Sequence, residues 1–593
     1  MRRFREVEMS NPAEEASVEC LNQVMDVLKE GKNFLLEAGA GAGKTYTLIE
    51  ALKFLIAEKE TQLISSNGRI ACITYTNVAK DEIRSRTDNH PAVLSETIHA
   101  FCWSLIKDFQ KNLKIFIPGL SDNWKDRCDQ TGDIGSHKVV YNLGFPKITD
   151  EEIFLHHDDV IKLMTQLLAD KKFVMILKSR FPVILIDEYQ DTNIELAKAM
   201  VENLVESDDG PVMGFFGDHW QKIFGSRSVG LITASAGKLT VIGKKANFRS
   251  DKLIVKALNR LRPELPQHEK DPESTGQISV FDSENFSGER RTDRNWKDDL
   301  PAEVAHSYLQ EVIAKLKMRD WSFEQGKTKI LMLTNNILAA EQGYSGLISV
   351  FPENDDLLKK NNPYIAYLVD VIEPACLAYS NKKYGEMFKC LNIHAPKIRK
   401  FDDKQTWTDS LNELMKARDN ETIGDVLEVL KRTKRPRLPE KLLEREAKFE
   451  ELKVKPKENF EEKESKDFAF QNAFRKIPYN EVKLVEQFIE EKTLFSTQHG
   501  VKGAQFENVL IVLGCGWNHY NWNQMLEFMN NGVPEDKIDT FERWRNLFYV
   551  ACSRPKKRLA LLFTQKISKD SKAALERIFK VNVESFELDT VIE

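Results

Sequence analysis

Near its amino terminus the chain reads Asn33-Phe-Leu-Leu-Glu-Ala-Gly-Ala-Gly-Ala-Gly-Lys-Thr45. Asn33–Glu37 is an apolar run of strand length, and Tyr46–Glu60 continues with helical character. Between them, Ala38, Gly39, Ala40, Gly41, Ala42, Gly43, Lys44 and Thr45 fit the phosphate-loop spacing in the strand–loop–helix setting it requires. Small residues let backbone N–H groups close on phosphate oxygens. The following helix presents its positive end to the anion. Lys44 is placed to reach the β- and γ-phosphates and Thr45 to hold Mg²⁺. The stretch predicts an α/β fold that binds a nucleoside triphosphate, with ATP and Mg²⁺ as cofactors.

Further strands are expected at Arg69–Thr76, Val183–Asp187, Val212–Gly217, Lys329–Thr334, Asn508–Leu513 and Arg558–Phe563. Most are Val, Ile, Leu and Phe without alternation, the pattern of parallel strands covered on both faces. They fall into two clusters, which predicts two α/β cores with parallel sheets. Val183-Ile-Leu-Ile-Asp-Glu188 ends in two acids. Beside a phosphate loop, Asp187 is expected to hold the Mg²⁺ shell and Glu188 to orient or deprotonate the attacking water.

A chain of 593 residues exceeds what one core supports. The composition, 41% hydrophobic and 30% charged, is that of a globular protein. The net charge is 86 − 91 = −5, which excludes a uniformly basic DNA wrapper but permits a basic cleft on an acidic body. No apolar run reaches membrane-spanning length and no secretory h-region follows Met1-Arg-Arg-Phe-Arg5, so a cytoplasmic protein with no membrane partner is expected. The eight cysteines form no CxxC pair, which argues against zinc or iron–sulfur sites. The basic run Lys431–Arg437, followed by the mixed-charge Glu440–Lys466, reads either as a solvated helix or as a DNA-contacting or targeting patch.

With Asp187-Glu-Tyr-Gln-Asp-Thr-Asn193 added to the phosphate loop, the chain resembles the UvrD/Rep/PcrA-like superfamily 1 DNA helicases. The resemblance implies two RecA-like P-loop cores, each interrupted by a mainly helical accessory insert. It divides the chain into core 1 (1–101 and 182–265) with a reduced insert at 102–181, and core 2 (266–340 and 491–593) with a charge-rich insert at 341–490. No appended nuclease is expected after Arg554. The family roles transfer only to matching positions. Gln23 resembles the adenine-reading glutamine. Thr74–Ile83 resembles a single-strand contact motif, in which Thr76 and Asn77 donate to phosphates and Tyr75 stacks on a base. Thr97–Phe101 supplies His99 as a further DNA contact. Gly217–Arg227 resembles a third motif, in which Gln221 senses the γ-phosphate and Phe224 faces the strand; relatives usually carry an aromatic residue where this chain has Ser226. In Asn247-Phe-Arg-Ser250, Phe248 stacks on adenine and Arg249 is an arginine finger. Thr497–Phe506 supplies Thr497, His499 and Lys502 for DNA, and Gln505 where the family commonly has Glu. Leu547–Arg554 supplies Arg554 as a second arginine finger, followed by an unusual Pro555.

These roles imply ATP held between two cores and stepping, 3′→5′, along single-stranded or partially duplex DNA. The alternative is a DNA-stimulated ATPase that acts as the sensor or regulatory subunit of a partner nuclease and unwinds little. More weakly, Gly516–Trp522 and the compact insert are similar to the helicase subunit of Gabija-type antiphage systems, which implies a TOPRIM-type nuclease partner and a role in antiviral defence, with DNA repair as the other setting.

Overall fold

The computed structural model describes residues 11–142, 146–223, 227–293, 296–393, 398–515 and 520–588. The first parallel sheet is built from β1 (Phe34–Ala38), β2 (Ile70–Thr74), β3 (Val93–Thr97), β4 (Val183–Asp187), β5 (Val212–Gly217) and β6 (Thr240–Lys244). Their spatial order is β3-β2-β4-β5-β1-β6. Every residue of β1, β2 and β4 is buried. Successive side chains explain why: Leu35, Ile73, Ile184 and Ile186 enter one apolar cluster, while Phe34, Leu36, Cys72 and Leu185 enter another on the opposite face. Both faces are covered, so alternation is absent from the sequence. Each such side chain contributes about 2 kcal/mol through burial. Gly214 of β5 has no room for a side chain, because a Cβ there would lie 2.7 Å from Leu185 and Phe34.

The flanking helices that matter here are α1 (Pro12–Lys29), α2 (Lys44–Ser65), α3 (Asn77–Arg86), α4 (Ile98–Ile106), α5 (Lys252–Leu261), α6 (Glu440–Val454), α7 (Glu462–Arg475) and α8 (Ile538–Cys552). A second set of strands comprises β7 (Gln277–Asp282), β8 (Thr328–Met332), β9 (Phe495–Thr497), β10 (Phe506–Leu513), β11 (Pro555–Phe563) and β12 (Val583–Ser585). β7 pairs in parallel with β11, Gln277 opposite Arg558, and with β12, Val280 opposite Val583. β8 pairs in parallel with β9, Ile330 opposite Phe495. The chain is therefore α/β with parallel sheets and many helices, as two RecA-like cores require.

Two compact units result. One contains the chain up to Asn285 with Val501–Val509 and Tyr520–Glu587; the other contains Phe286–Gly500 and the described part of 510–519. In the first unit, 102–181 holds helices and also a small sheet of Lys138–Tyr141, Lys147–Ile148 and Glu152–Leu155, which the sequence did not announce. In the second unit, 341–490 is helical around a separate core that includes Leu368, Leu411, Leu427 and Phe474. The basic run at 431 is partly neutralised there: Lys431 pairs with Glu428 at 2.8 Å and Glu450 at 3.1 Å, and Arg432 pairs with Glu413.

Candidate active site

β1 delivers the phosphate loop and α2 leaves it. Gly41 and Gly43 both adopt positive φ, +76° and +75°. A Cβ on Gly41 would lie 2.8 Å from Arg249 Cβ and 2.9 Å from Asn247 Oδ1, so position 41 requires glycine twice over. The first turn of α2 has no side-chain cap and no acidic residue, which leaves its N–H groups for an anion. The loop is fastened from outside. Asn247 and Gln267 each donate from their amide nitrogens to the Ala40 carbonyl, at 3.2 and 3.3 Å. Ala40 N–H donates to the Tyr549 hydroxyl at 3.2 Å. The buried Lys244 ammonium donates to the Gly43 carbonyl and to Thr47. Burial pushes the Lys244 pKa down to about 8.

Lys44 Nζ lies 3.3 Å from Asp187 Oδ1 and 2.6 Å from Glu188 Oε1. Burial opposes the lysine's charge, but the two carboxylates more than offset it and raise its pKa. Burial likewise opposes ionisation of Glu188, yet Lys44, Lys502 and a hydrogen bond from Gln190 hold it down to about 2. Asp187 moves the other way, raised chiefly by burial. Glu188 has φ +50°, a left-handed backbone that a glutamate rarely adopts. That geometry aims its carboxylate at the loop.

A cavity of ≈ 470 Å³ is lined by the loop from Ala38 to Tyr46 and by Glu188, Gln221, Phe248, Arg249, Gln505 and Arg554. Gln221 is set by its amide, which donates to Asp218 Oδ2 at 2.8 Å. Asp218 in turn accepts from Arg262 at 2.6 Å. Arg262 also holds Glu37, at 3.1 Å, and lies over the Trp220 and Tyr549 rings. Glu37, Asp218 and His219 cluster closely enough to suggest a metal, but Arg262 already balances their charge.

Arg554 is 1% exposed and, among the described residues, its guanidinium donates to neutral acceptors: the Val550 and Ala504 carbonyls and the Ser553 hydroxyl. Burial, then the nearby Arg249 charge, pushes its pKa down to about 9. Arg249 donates to the Ser553 carbonyl at 2.9 Å, its Nε is buried without a hydrogen-bond partner, and burial lowers its pKa to about 10. Two desolvated guanidiniums facing a phosphate loop, with no carboxylate paired to them among the described residues, form a site that an anion would stabilise. The oxygen donors of Thr45 and Asp187 at the same loop suit Mg²⁺.

A second cavity of ≈ 550 Å³ adjoins the loop, lined by Glu14, Ser17, Val18 and Leu21 of α1 with Gly43, Tyr46 and Phe248. Phe248 forms part of this wall. Gln23 is not part of this wall: it is exposed farther along α1 and its amide donates to Glu19 at 3.4 Å. Glu14, at the start of the helix, occupies the wall instead. Arg86 at the end of α3 also lines the phosphate cavity. Asn247, Gln267, Tyr549, Lys244, Glu14 and Arg86 are the contributors that sequence reasoning passed over. Asn247 lies within Asn247–Ser250 and Tyr549 within Leu547–Arg554, whereas Gln267 carries no local signal.

The expected DNA contacts are scattered in their surroundings. Thr76 and Asn77 are exposed at the start of α3, where Thr76 caps the helix by accepting from Ala79 N–H. Tyr75 is only partly exposed: it packs against the first core cluster and its hydroxyl donates to Thr192 at 2.5 Å. His99 on α4 is half-buried edge-on to His157, ring centroids 4.6 Å apart, and burial lowers its pKa. Lys502 is held by Asp191 at 2.6 Å. In the second unit, Thr497 Oγ1 accepts from Gly500 N–H at 2.9 Å, and burial lowers the pKa of His499. Phe224, Ser226 and 516–519 lie outside the described residues.

A family model described as an AAA domain matches residues 22–227. The Gabija protein GajB of Bacillus cereus (strain HuB5-5) is 26% identical over 96% of this chain and 98% of its own length. The ATP-dependent DNA helicase Rep of Buchnera aphidicola subsp. Schizaphis graminum is 26% identical over 38% of this chain and 41% of its own. The ATP-dependent DNA helicase PcrA of Staphylococcus aureus (strain Mu50 / ATCC 700699) is 25% identical over 38% and 37%. The resemblance to UvrD-like helicases, and to the Gabija type among them, is borne out, and with it an ATP-dependent, helicase-like function.

Proposed function

We propose that this protein is a DNA motor that hydrolyses ATP to move 3′→5′ on single-stranded DNA, working beside a partner nuclease of the TOPRIM type in antiphage defence. The convergence of Lys44, Glu188, Gln221, Arg249 and Arg554 on one cleft carries the reading. Bound Mg²⁺, held by Thr45 and Asp187, would polarise the phosphates. Lys44 exchanges its carboxylate partners for phosphate oxygens. That exchange frees Glu188, already ionised, to orient water and take its proton. Gln221, steered by Asp218, reads the γ-phosphate position. Arg249 and Arg554 neutralise the charge that develops there, and both gain the anionic partner they lack.

The support for DNA as the track is the similarity to Rep and PcrA together with the exposed start of α3. The support for the defence setting is the full-length similarity to GajB. A strand-displacement assay on 3′-tailed and 5′-tailed duplexes tests the reading. ATP-dependent displacement of the 3′-tailed substrate alone is expected; displacement from the 5′ tail alone would reverse the polarity.

One observation favours a second reading, a nucleic-acid-gated ATPase that unwinds little. Lys502, expected on the DNA track, is instead paired with Asp191 of the same motif that carries Glu188. Strong DNA stimulation of hydrolysis with no displacement at any salt concentration would select this reading.

A further inference from the structure

The helical insert of the second unit contains a pocket that the motor does not use. It measures ≈ 530 Å³ and lies among α6, α7 and the segment around Phe351–Asn362. Its size is that of a small-ligand site. Four cations line it: Arg445 and Lys448 from α6, Lys463 and Lys466 from α7. Asp356 and Asp467 are the opposing carboxylates in the lining, so the balance is positive. Lys466 pairs with Glu462 at 2.6 Å, whereas Arg445, Lys448 and Lys463 make no ion pair among the described residues.

The wall between the cations is aromatic. Phe470 stacks on Phe474, centroids 5.5 Å apart and 12° between planes, and meets the edge of Phe351 at 5.3 Å. Phe470 itself keeps partial exposure. Gln471, beside it in the lining, is 8% exposed, and its Oε1 is buried with no hydrogen-bond partner. A buried carbonyl oxygen left unpaired costs free energy unless a ligand donates to it. The two helices that carry the cations are tied together, since Glu446 of α6 accepts from Arg475 of α7 and, at 2.9 Å, from Tyr364.

We propose that this pocket binds one nucleoside phosphate, free or within a single strand. The cations take the phosphate, Phe470 supports the base, and Gln471 Oε1 accepts from a ring N–H or exocyclic amine. The inference is independent of the motor reading, because none of these residues belongs to the Lys44 cleft.

The test uses the full-length protein with saturating Mg²⁺-ADP to fill the Lys44 cleft. AMP binding is followed by calorimetry, and binding of a labelled 12-mer of deoxyadenosine by fluorescence anisotropy. The variants are Arg445→Glu/Lys448→Glu and Gln471→Leu. The double variant is expected to weaken its probe about tenfold or more and to flatten the salt dependence. Gln471→Leu is expected to weaken it several-fold, and basal ATP hydrolysis is expected to stay unchanged in both. Weakening of AMP alone assigns a free nucleotide; weakening of the 12-mer alone assigns a strand. Unchanged binding of both probes overturns the proposal. Should the double variant fail to fold, the exposed pair Lys463→Gln/Lys466→Gln gives the same readout. A failed motor reading would appear as absent ATP hydrolysis in wild type and would leave both binding arms interpretable.

Discussion

Lys44→Ala removes the cation that sits between the buried Asp187 and the partly exposed Glu188. Its Nζ is 3.3 Å from Asp187 and 2.6 Å from Glu188, with the lysine side chain 14% exposed and the aspartate 7%. Breaking a buried ion pair from one side costs roughly 3–5 kcal/mol. Glu188 is 34% exposed, so water recovers part of its loss and the lower figure, ~3 kcal/mol, is expected. Domains with stabilities of about 5–15 kcal/mol survive that, so the variant folds. The cost depends on pH with a definite sign. In wild type, burial opposes the Glu188 charge but Lys44 overrides it and holds the group at about 2. Its stabilisation is present above the unfolded value of about 4.3 and is lost only as pH falls through the folded value. Asp187 is already raised by burial in wild type, and without Lys44 the two carboxylates face each other and its pKa rises further above the unfolded value. That group binds its proton more readily in the fold, so the variant regains stability as pH falls from neutral toward the raised pKa. The deficit is therefore largest near pH 7.5 and smaller at pH 5. Urea unfolding of both proteins at pH 7.5, 6 and 5 measures it, beside ATP hydrolysis, which the variant should lose. A deficit that does not change with pH, or near-normal turnover, would refute the reasoning.

Arg554→Ala should lower turnover about 10²–10³-fold with nucleotide binding within a few-fold of wild type, read by steady-state hydrolysis against equilibrium titration; equal losses in both would make the residue structural. Gly41→Ala puts a Cβ 2.8 Å from Arg249 at φ +76°, so both thermal stability and ATP affinity should fall; unchanged affinity would mean the loop moves freely. Tyr549→Phe deletes the hydroxyl that accepts from Ala40 N–H and also bonds the Arg262 guanidinium, and should cost about 1–3 kcal/mol in unfolding experiments, with no change in the aromatic packing on Trp220. Tyr75→Phe removes the bond to Thr192 alone, whereas Tyr75→Ala opens a gap against the core. If single-strand affinity falls with Ala and not with Phe while Tm stays unchanged, Tyr75 stacks on DNA; a fall in Tm of the Ala variant with no change in affinity assigns it to packing.

The strands were legible because their burial is two-sided. Asn33–Glu37 and Val183–Asp187 read as apolar runs, and the structure completely buries the strands it forms there, Phe34–Ala38 and Val183–Asp187. The phosphate loop was legible for a different reason: glycine spacing is local, and the positive φ of Gly41 and Gly43 is a property of those residues. Contacts made by distant side chains were not. Gln267 and Tyr549 fasten the loop through Ala40, yet Gln267 sits in no recognisable spacing and the Leu547–Arg554 motif that holds Tyr549 points to Arg554 alone. The wall near Gly43 failed for a third reason. Gln23 and Glu14 lie on the same helix, and only the direction in which α1 docks decides which one faces Phe248. The paired state of Lys502 is likewise tertiary: its sequence motif gives the cation, but only the fold supplies Asp191.

The left-handed backbone at Glu188 has a consequence for variation at that position. A residue there bears conformational cost of about 1–3 kcal/mol, together with the crowding of a second acid beside Asp187. Asparagine tolerates that backbone better and carries no charge. Glu188→Asn relieves that backbone but gives up the ionised partner of Lys44 and the acceptor for Gln190, so heat resistance should change little while hydrolysis is lost. At this one α-carbon the side chain itself offsets the strain it bears, so a screen for robustness alone gains nothing by replacing it.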